Sequence, residues 1–298
     1  MADGGYPERL RALVDAYLEQ LRFSREGATA GLEEAMRYSL LAGGKRVRPV
    51  LALATAEALG TEPESVLPLA AAIELIHTYS LIHDDLPAMD DDALRRGRPT
   101  CHVAFGEDVA ILAGDGLYAE AFAHLLTRST QPPELVLAAA VELADATGVG
   151  GMVGGQYVDV SGGAPAGADG LRRLHELKTG RLIGASVLGV LMLSGIRTGD
   201  DQEPLRQYAA ELGVLFQIVD DILDVTGTDE ALGKPQGSDE RHGKRTYVSE
   251  FGLDGARRLA QEAHEACATL LDRAADRWGQ PPLGALSSMT DYVYTRSS

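Results

Sequence analysis

LPLAAAIELIHTYSLIHDD, residues 67 to 85, stays largely apolar through about five helical turns and then closes on two aspartates. A run of this length without two-residue alternation predicts a buried helix with charge at its C-terminal end. The same periodicity extends outward in both directions. PERLRALVDAYLEQLR (7–22), LEEAMRYSLLAGG (32–44) and GARRLAQEAHEACATLLDRAADRW (255–278) all carry helical spacing, and no convincing run of alternating, β-branched strand sequence appears. Breaks fall at GTEPES (60–65), TQPPE (130–134), SGGAPAGADG (161–170), RTGDDQEP (197–204) and GQPPLG (279–284), where turn chemistry is dense. None resembles an interdomain linker and no fixed-period repeat is present. The expectation is an all-α chain, a single domain over residues 1–298 with about ten or more helices around one core.

Composition narrows the function. The 298 residues suffice to bury a sizeable core. With 44 acidic against 27 basic side chains the net charge is −17, a field that repels nucleic acid and anionic membrane surface. An anionic substrate must therefore be captured by a local basic cluster or by metal ions. Cys101 and Cys267 are the only cysteines, which argues against a disulfide framework and fits a reducing cytoplasm. The opening MADGGYPERLRALV lacks a basic region followed by an apolar one, so no signal peptide is expected. The most apolar stretch, LIGASVLGVLMLSGI at 182–196, falls short of the roughly 20 residues needed to cross a bilayer and predicts a core helix instead.

The end of the opening helix carries the chemistry. DDLPAMDDD (84–92) holds Asp84, Asp85, Asp90, Asp91 and Asp92, and Arg95, Arg96 and Arg98 follow at once. A solvated acidic loop is the plain alternative. Against it, negative charge at the C-terminal end of an apolar helix opposes the macrodipole, so a cation is expected there. Carboxylate oxygens suit Mg²⁺, which keeps waters and shares its sphere with substrate phosphates. A second group supports this: LFQIVDDILDVTG (215–227) places Asp220 and Asp224 at i and i+4 on one face of an otherwise apolar helix, with Asp221 beside them. Like charges on one face destabilise a helix, and a metal between them reverses the sign.

Two aspartate motifs so far apart, with GGKRVRPVL (43–51) before them and GKRTY (243–247) after, resemble the trans-isoprenyl diphosphate synthases, the polyprenyl synthetase family. The resemblance spans nearly the whole chain. It implies the isoprenoid synthase fold and a prenyltransferase that condenses isopentenyl diphosphate with an allylic diphosphate. Asp84, Asp85 and Asp90 match the longer, bacterial-like first motif, and Asp220, Asp221 and Asp224 the second. Together they are implied to hold three Mg²⁺ on the allylic diphosphate. Arg95, Lys178, Lys234 and Lys244 are implied to bind the same group, with Gln156 and Asp159 of GGQYVDV beside the metals. For isopentenyl diphosphate the resemblance implies Gly44, Lys45, Arg48, His77 and Arg96. Two glycines there let a backbone approach a phosphate. The Lys178 carbonyl, the Thr179 hydroxyl and the Gln217 side-chain oxygen are implied to steady an allylic carbocation, and the departed diphosphate to accept the proton. Arg46 and Arg98 are left as screening or structural charges.

Product length is read at Tyr79 and Ser80, just upstream of Asp84. Tyrosine at that place resembles bacterial farnesyl diphosphate synthases, with geranylgeranyl diphosphate the near alternative. Helical rotation alone puts Tyr79 well round from Asp84 and leaves Ser80 and Ile76 nearer its face. The chain also departs from the family: its tail DYVYTRSS offers only Arg296, and Arg181 stands where a small residue is more usual. A terpene cyclase is disfavoured by the second motif and by the Lys45, Arg48 and His77 set. A non-catalytic regulatory subunit is disfavoured because both aspartate motifs are kept. A homodimer is expected, with its surface unread.

Overall fold

The computed structural model describes residues 5–24, 26–165, 167–196, 202–227, 244–277 and 283–295. Lys234 and Arg296 lie outside the described residues. The elements are α1 (Glu8–Gln20), α2 (Ala30–Leu40), α3 (Val47–Ala58), α4 (Leu67–Asp84), α5 (Cys101–Phe105), α6 (Glu107–Arg128), α7 (Pro133–Thr147), α8 (Met152–Val160), α9 (Ala168–His175), α10 (Arg181–Leu193), α11 (Glu203–Thr226), α12 (Tyr247–Arg277) and α13 (Gly284–Thr295). A π turn, Glu176–Gly180, joins α9 to α10, and α12 is kinked at Gly252. The all-helical expectation holds except for a small hairpin, β1 (Leu94–Arg95) with β2 (Arg98–Pro99), which pairs Leu94 with Pro99 and Arg95 with Arg98. Arg96 and Gly97 turn it with positive φ at both positions, the geometry a two-residue hairpin requires. Alternation cannot reveal strands this short.

α4 and α10 form the centre. Every residue of α4 from Leu67 to Ile76 is buried, and in its last two turns the helix opens towards a cavity at His77, Tyr79, Ser80, Leu81, His83 and Asp84. Pro68 sits in the first turn, where its missing N–H costs nothing. α10 is buried along nearly its whole length, between α7, α11 and α3. α6 lies along α4, and α11 lies along α12. The 182–193 part of the 182–196 stretch is therefore core helix, as expected. It is not the nearest approach to a spanning length, however: Pro63–Asp84, Glu107–Arg128 and Pro133–Val160 are each long and apolar enough by length and composition. The apolar window of the first is 72% buried, whereas those of the other two are 33% and 44% buried. α6 and α7 thus keep apolar faces outward at Ile111, Leu112, Leu126, Leu137 and Val141.

The packing of α1 on α6 makes stability respond to acid. Tyr17 Oη lies 2.8 Å from His124 Nε2. Burial, with the Arg128 charge adding to it, pushes the imidazole down to about 4. The unfolded chain therefore takes the proton first, so this contribution is whole above about pH 6.5 and is lost as pH falls through about 4. His124→Gln, which keeps an acceptor for Tyr17, is expected to flatten that part of the decline in urea melts across this range.

Candidate active site

The cavity at the end of α4 has a volume of about 670 Å³. Its walls carry Arg48, His77, Arg96 and Phe216, and also Asp84, Arg95, Gln156, Asp159, Lys178, Asp220, Asp221 and Lys244. At the end of α4 the chain folds back tightly, with Asp90 N–H donating to Asp84 O at 2.9 Å and Met89 N–H to Leu86 O at 2.8 Å. This turn separates the three aspartates of the first motif. Asp84 faces the cavity and accepts from Gln156 Nε2 at 2.8 Å. Burial, reinforced by the charge of Asp90, pushes its carboxyl up to about 6, against the pull of Lys178, Arg95 and Lys244. Asp85 is buried and gripped by Arg95, whose Nε lies 2.8 and 3.0 Å from its two oxygens. Asp90 pairs with Lys244 Nζ at 3.0 Å.

The second motif is divided in the same way. Asp220 is exposed to the cavity, while Asp221 accepts from Gln217 Nε2 and from the Tyr247 N–H, each at 2.7 Å. Thr179 Oγ1 in turn donates to Gln217 Oε1 at 3.1 Å, so the three polar groups form one chain from the π turn to α11. Lys178 Nζ bonds Asp159 Oδ2 at 2.5 Å. α8 reaches this point because Gly155 presses its backbone onto that of Lys178, where an added Cβ would stand 2.3 Å from the Lys178 nitrogen.

The polyprenyl synthetase family profile matches residues 29–275. The chain belongs to the polyprenyl synthetase family. It is 47% identical to a farnesyl diphosphate synthase of Geobacillus stearothermophilus over 254 residues, covering 84% of this chain and 83% of that one. It is also 47% identical over 270 residues to the large subunit 1 of a heterodimeric, chloroplastic geranylgeranyl pyrophosphate synthase of Arabidopsis thaliana, covering 88% of this chain and 72% of the other. A crystal structure of a geranyltransferase from Helicobacter pylori, complexed with magnesium and isoprenyl diphosphate, superposes with a TM-score of 0.85 at 32% identity, over 97% of this chain and 95% of that one.

Within this synthetase several expected positions are placed differently from the expectation. Asp85, Asp90 and Asp224 do not line the cavity, and Asp224 is buried. Among the described residues no three His, Cys, Asp or Glu side chains converge as a ready-made ion site. The donor set still suits Mg²⁺: Asp84 from α4 and Asp220 and Asp221 from α11 line one cavity that also holds cations for a phosphate, and such an ion completes its sphere with phosphate and water.

Lys45 is exposed and outside the cavity wall, with Nζ 5.6 Å from the centre of the Tyr292 ring on α13. Gly44, at φ 118°, makes room for a neighbouring side chain: a Cβ there would stand 2.6 Å from Arg96 Cζ. Arg96 also donates to the Gly43 carbonyl. Arg48 Nη1 lies 3.4 Å from His77 Nε2, and its guanidinium sits 5.6 Å from the Phe216 ring centre. Burial, then the guanidiniums of Arg48 and Arg96, hold His77 well below its ordinary pKa and hence neutral. Arg98 lies 4.4 Å from the Tyr38 ring centre, a structural role. Arg181 does not line the cavity; its charge acts on Glu142 of α7.

Tyr79 and Ser80 both line the cavity, whereas Ile76 is in the core. Tyr79 meets His83 and Tyr118 edge-on, both at 5.1 Å, and Tyr118 meets Phe122 at 5.4 Å. Rotation from Asp84 misjudged this wall because α4 exposes most of its circumference in its last two turns. Sequence reasoning also missed His83, His175, Phe216 and Arg245 as wall residues. Each stands within three positions of a motif residue, the one signal that could have marked them.

Proposed function

We propose that this synthetase joins isopentenyl diphosphate to dimethylallyl and geranyl diphosphates and releases farnesyl diphosphate. The observation that carries the reading is the pairing, in one cavity, of Asp84, Asp220 and Asp221 with the Arg48, His77 and Arg96 group. An allylic diphosphate fits the aspartate side, where Arg95, Lys178 and Lys244 supply positive charge, and isopentenyl diphosphate fits the Arg48 side. When bound, three Mg²⁺ supply the charge stabilisation that lets the diphosphate leave with the electron pair of the C1–O bond. Asp84, Asp220 and Asp221 would hold those ions at that end of the substrate, while Asp85 is held by Arg95 and Asp90 by Lys244. Thr179 and Gln217 present oxygens to the allylic cation, and the Lys178 carbonyl does the same. Apolar groups such as Met152, Val153 and Phe216 keep water from it. The isopentenyl double bond closes the new bond at C1, and the departing diphosphate takes the proton.

Tyr79 is the floor, which favours the farnesyl product over geranylgeranyl. Tyr79→Ala is expected to shift the product towards geranylgeranyl length and no further, because Tyr118 and Phe122 stand behind it. We also infer a single helical domain, a homodimer that buries the outward apolar faces of α6 and α7, and a cytoplasmic location, in keeping with two free, buried cysteines. The test is product analysis by mass spectrometry with isopentenyl diphosphate and each allylic starter, with and without Mg²⁺. Mg²⁺-dependent farnesyl product supports the reading. Longer product removes the floor, and no condensation from any starter overturns the activity.

A further inference from the structure

His175 ends α9 three residues before Lys178, and its ring forms part of the cavity wall, stacked on Tyr247 at 5.6 Å. Both ring nitrogens are sealed from solvent, and among the described residues neither has a hydrogen-bond partner. Stacking on Tyr247 would be served as well by phenylalanine, so the buried nitrogens need another explanation. Asp159 supplies one. Its carboxylate, 17% exposed, is held by Lys178 Nζ at 2.5 Å. Under the function proposed above, on which this inference rests, Lys178 must turn to a diphosphate, and Asp159 would then be left in the wall without its hydrogen-bonding partner. Burial pushes the His175 imidazole down to about 4, and the field that opposes this most is that of Asp159.

We propose that His175 is the second partner of Asp159: Lys178 holds the carboxylate before substrate binds, and a His175 ring N–H takes it over when Lys178 swings to the diphosphate. His175 is thus a positioning residue that makes the movement of Lys178 nearly free of cost. The exchange explains why a buried imidazole is kept where its nitrogens have no partner before binding.

The test is a double-mutant cycle of His175→Phe and Asp159→Asn, read by the KM for the allylic substrate and by calorimetric binding of inorganic pyrophosphate with Mg²⁺. His175→Phe is expected to melt at or above the wild-type temperature, yet to weaken pyrophosphate binding and raise the allylic KM by about tenfold, the worth of a hydrogen bond to a charged group. The KM for isopentenyl diphosphate should stay unchanged. In the Asp159→Asn background Lys178 is already released, so His175→Phe should add nothing there. His175→Gln, which keeps an N–H, should restore most of the lost affinity, and it serves as the test if the Phe variant fails to fold. Equal losses in both backgrounds, or no loss from His175→Phe, would overturn the proposal. Failure of the underlying function shows separately, as absence of wild-type turnover.

Discussion

Asp84→Asn is expected to lower kcat by about a thousandfold or more, the scale of losing an electrostatic group that acts on developing charge. Folding should survive. Asp84 is the first-motif carboxylate that faces the cavity, and no other aspartate of that motif lines it. Asparagine keeps an oxygen for Gln156 Nε2 and removes only the charge. The stability effect runs the other way. The folded-state pKa of Asp84 is about 6, above its ordinary value of 3.8, so the stability it contributes is whole below about pH 4 and is lost as pH rises through about 6. At neutral pH and without Mg²⁺ the ionised carboxylate opposes folding, and Asp84→Asn should melt at or above the wild-type temperature. With Mg²⁺ and inorganic pyrophosphate the wild type should gain stability and the variant should not. Steady-state kinetics and paired thermal melts check both halves, and normal turnover in the variant would sink the assignment of Asp84.

Glu74→Gln is expected to destabilise the fold by about 3–5 kcal/mol, the cost of leaving one member of a buried ion pair alone. Arg46 and Glu74 side chains are 3% and 2% exposed, with Nη1 2.7 Å from Oε1. Arg46 also bonds Asp15 at 2.9 Å and the Leu40 carbonyl at 2.8 Å, so one guanidinium ties together α1, α2 and α4. Its backbone stands at φ 54°, a left-handed conformation that a non-glycine residue enters at a cost of about 1–2 kcal/mol. The ion pair holds that strained residue between Lys45 and Arg48. Breaking it should therefore lower the melting temperature by on the order of 10 °C and raise the KM for isopentenyl diphosphate as well. The double variant Arg46→Met with Glu74→Leu should recover most of the stability, since an apolar pair of similar volume leaves no lone charge. It should not recover the KM, because the loop loses its anchor. A single Glu74→Gln variant as stable as wild type would show that the pair carries no such load.

Much of this molecule was legible in one dimension. The helical class follows from residues 67–85 and their counterparts, because apolar spacing is a local property that burial does not alter. Asp84, Asp220 and Asp221 were legible for a related reason: charges set in apolar helices have few stable uses, and metal-assisted capture of an anion is one of them. The family resemblance implied roles at one site for Gln156, Asp159, Lys178, Thr179 and Gln217, and in the structure Lys178 bonds Asp159, Thr179 bonds Gln217 and Gln156 bonds Asp84.

What the chain did not show in one dimension is how each motif is divided. Adjacent aspartates on a helix point about 100° apart, so Asp84 faces the cavity while Asp85 turns into the grip of Arg95. The split is decided by which neighbour lies on which side, and that neighbour arrives from β1. Gly44, expected to let the backbone approach a phosphate, lies against the Arg96 side chain, a neighbour the sequence does not name. Arg46, expected to be a screening or structural charge, is structural: a buried tie between three helices, whose partners only the tertiary structure shows. His175 carried no signal beyond its nearness to Lys178 in the chain, because an unbonded imidazole is recognised only when its surroundings are known. Composition and periodicity determined the class of fold and the chemical type of the site, since both depend on residue types and local spacing. The choice of partner for each charge depends on distances between helices far apart in the chain, and only the tertiary structure sets those.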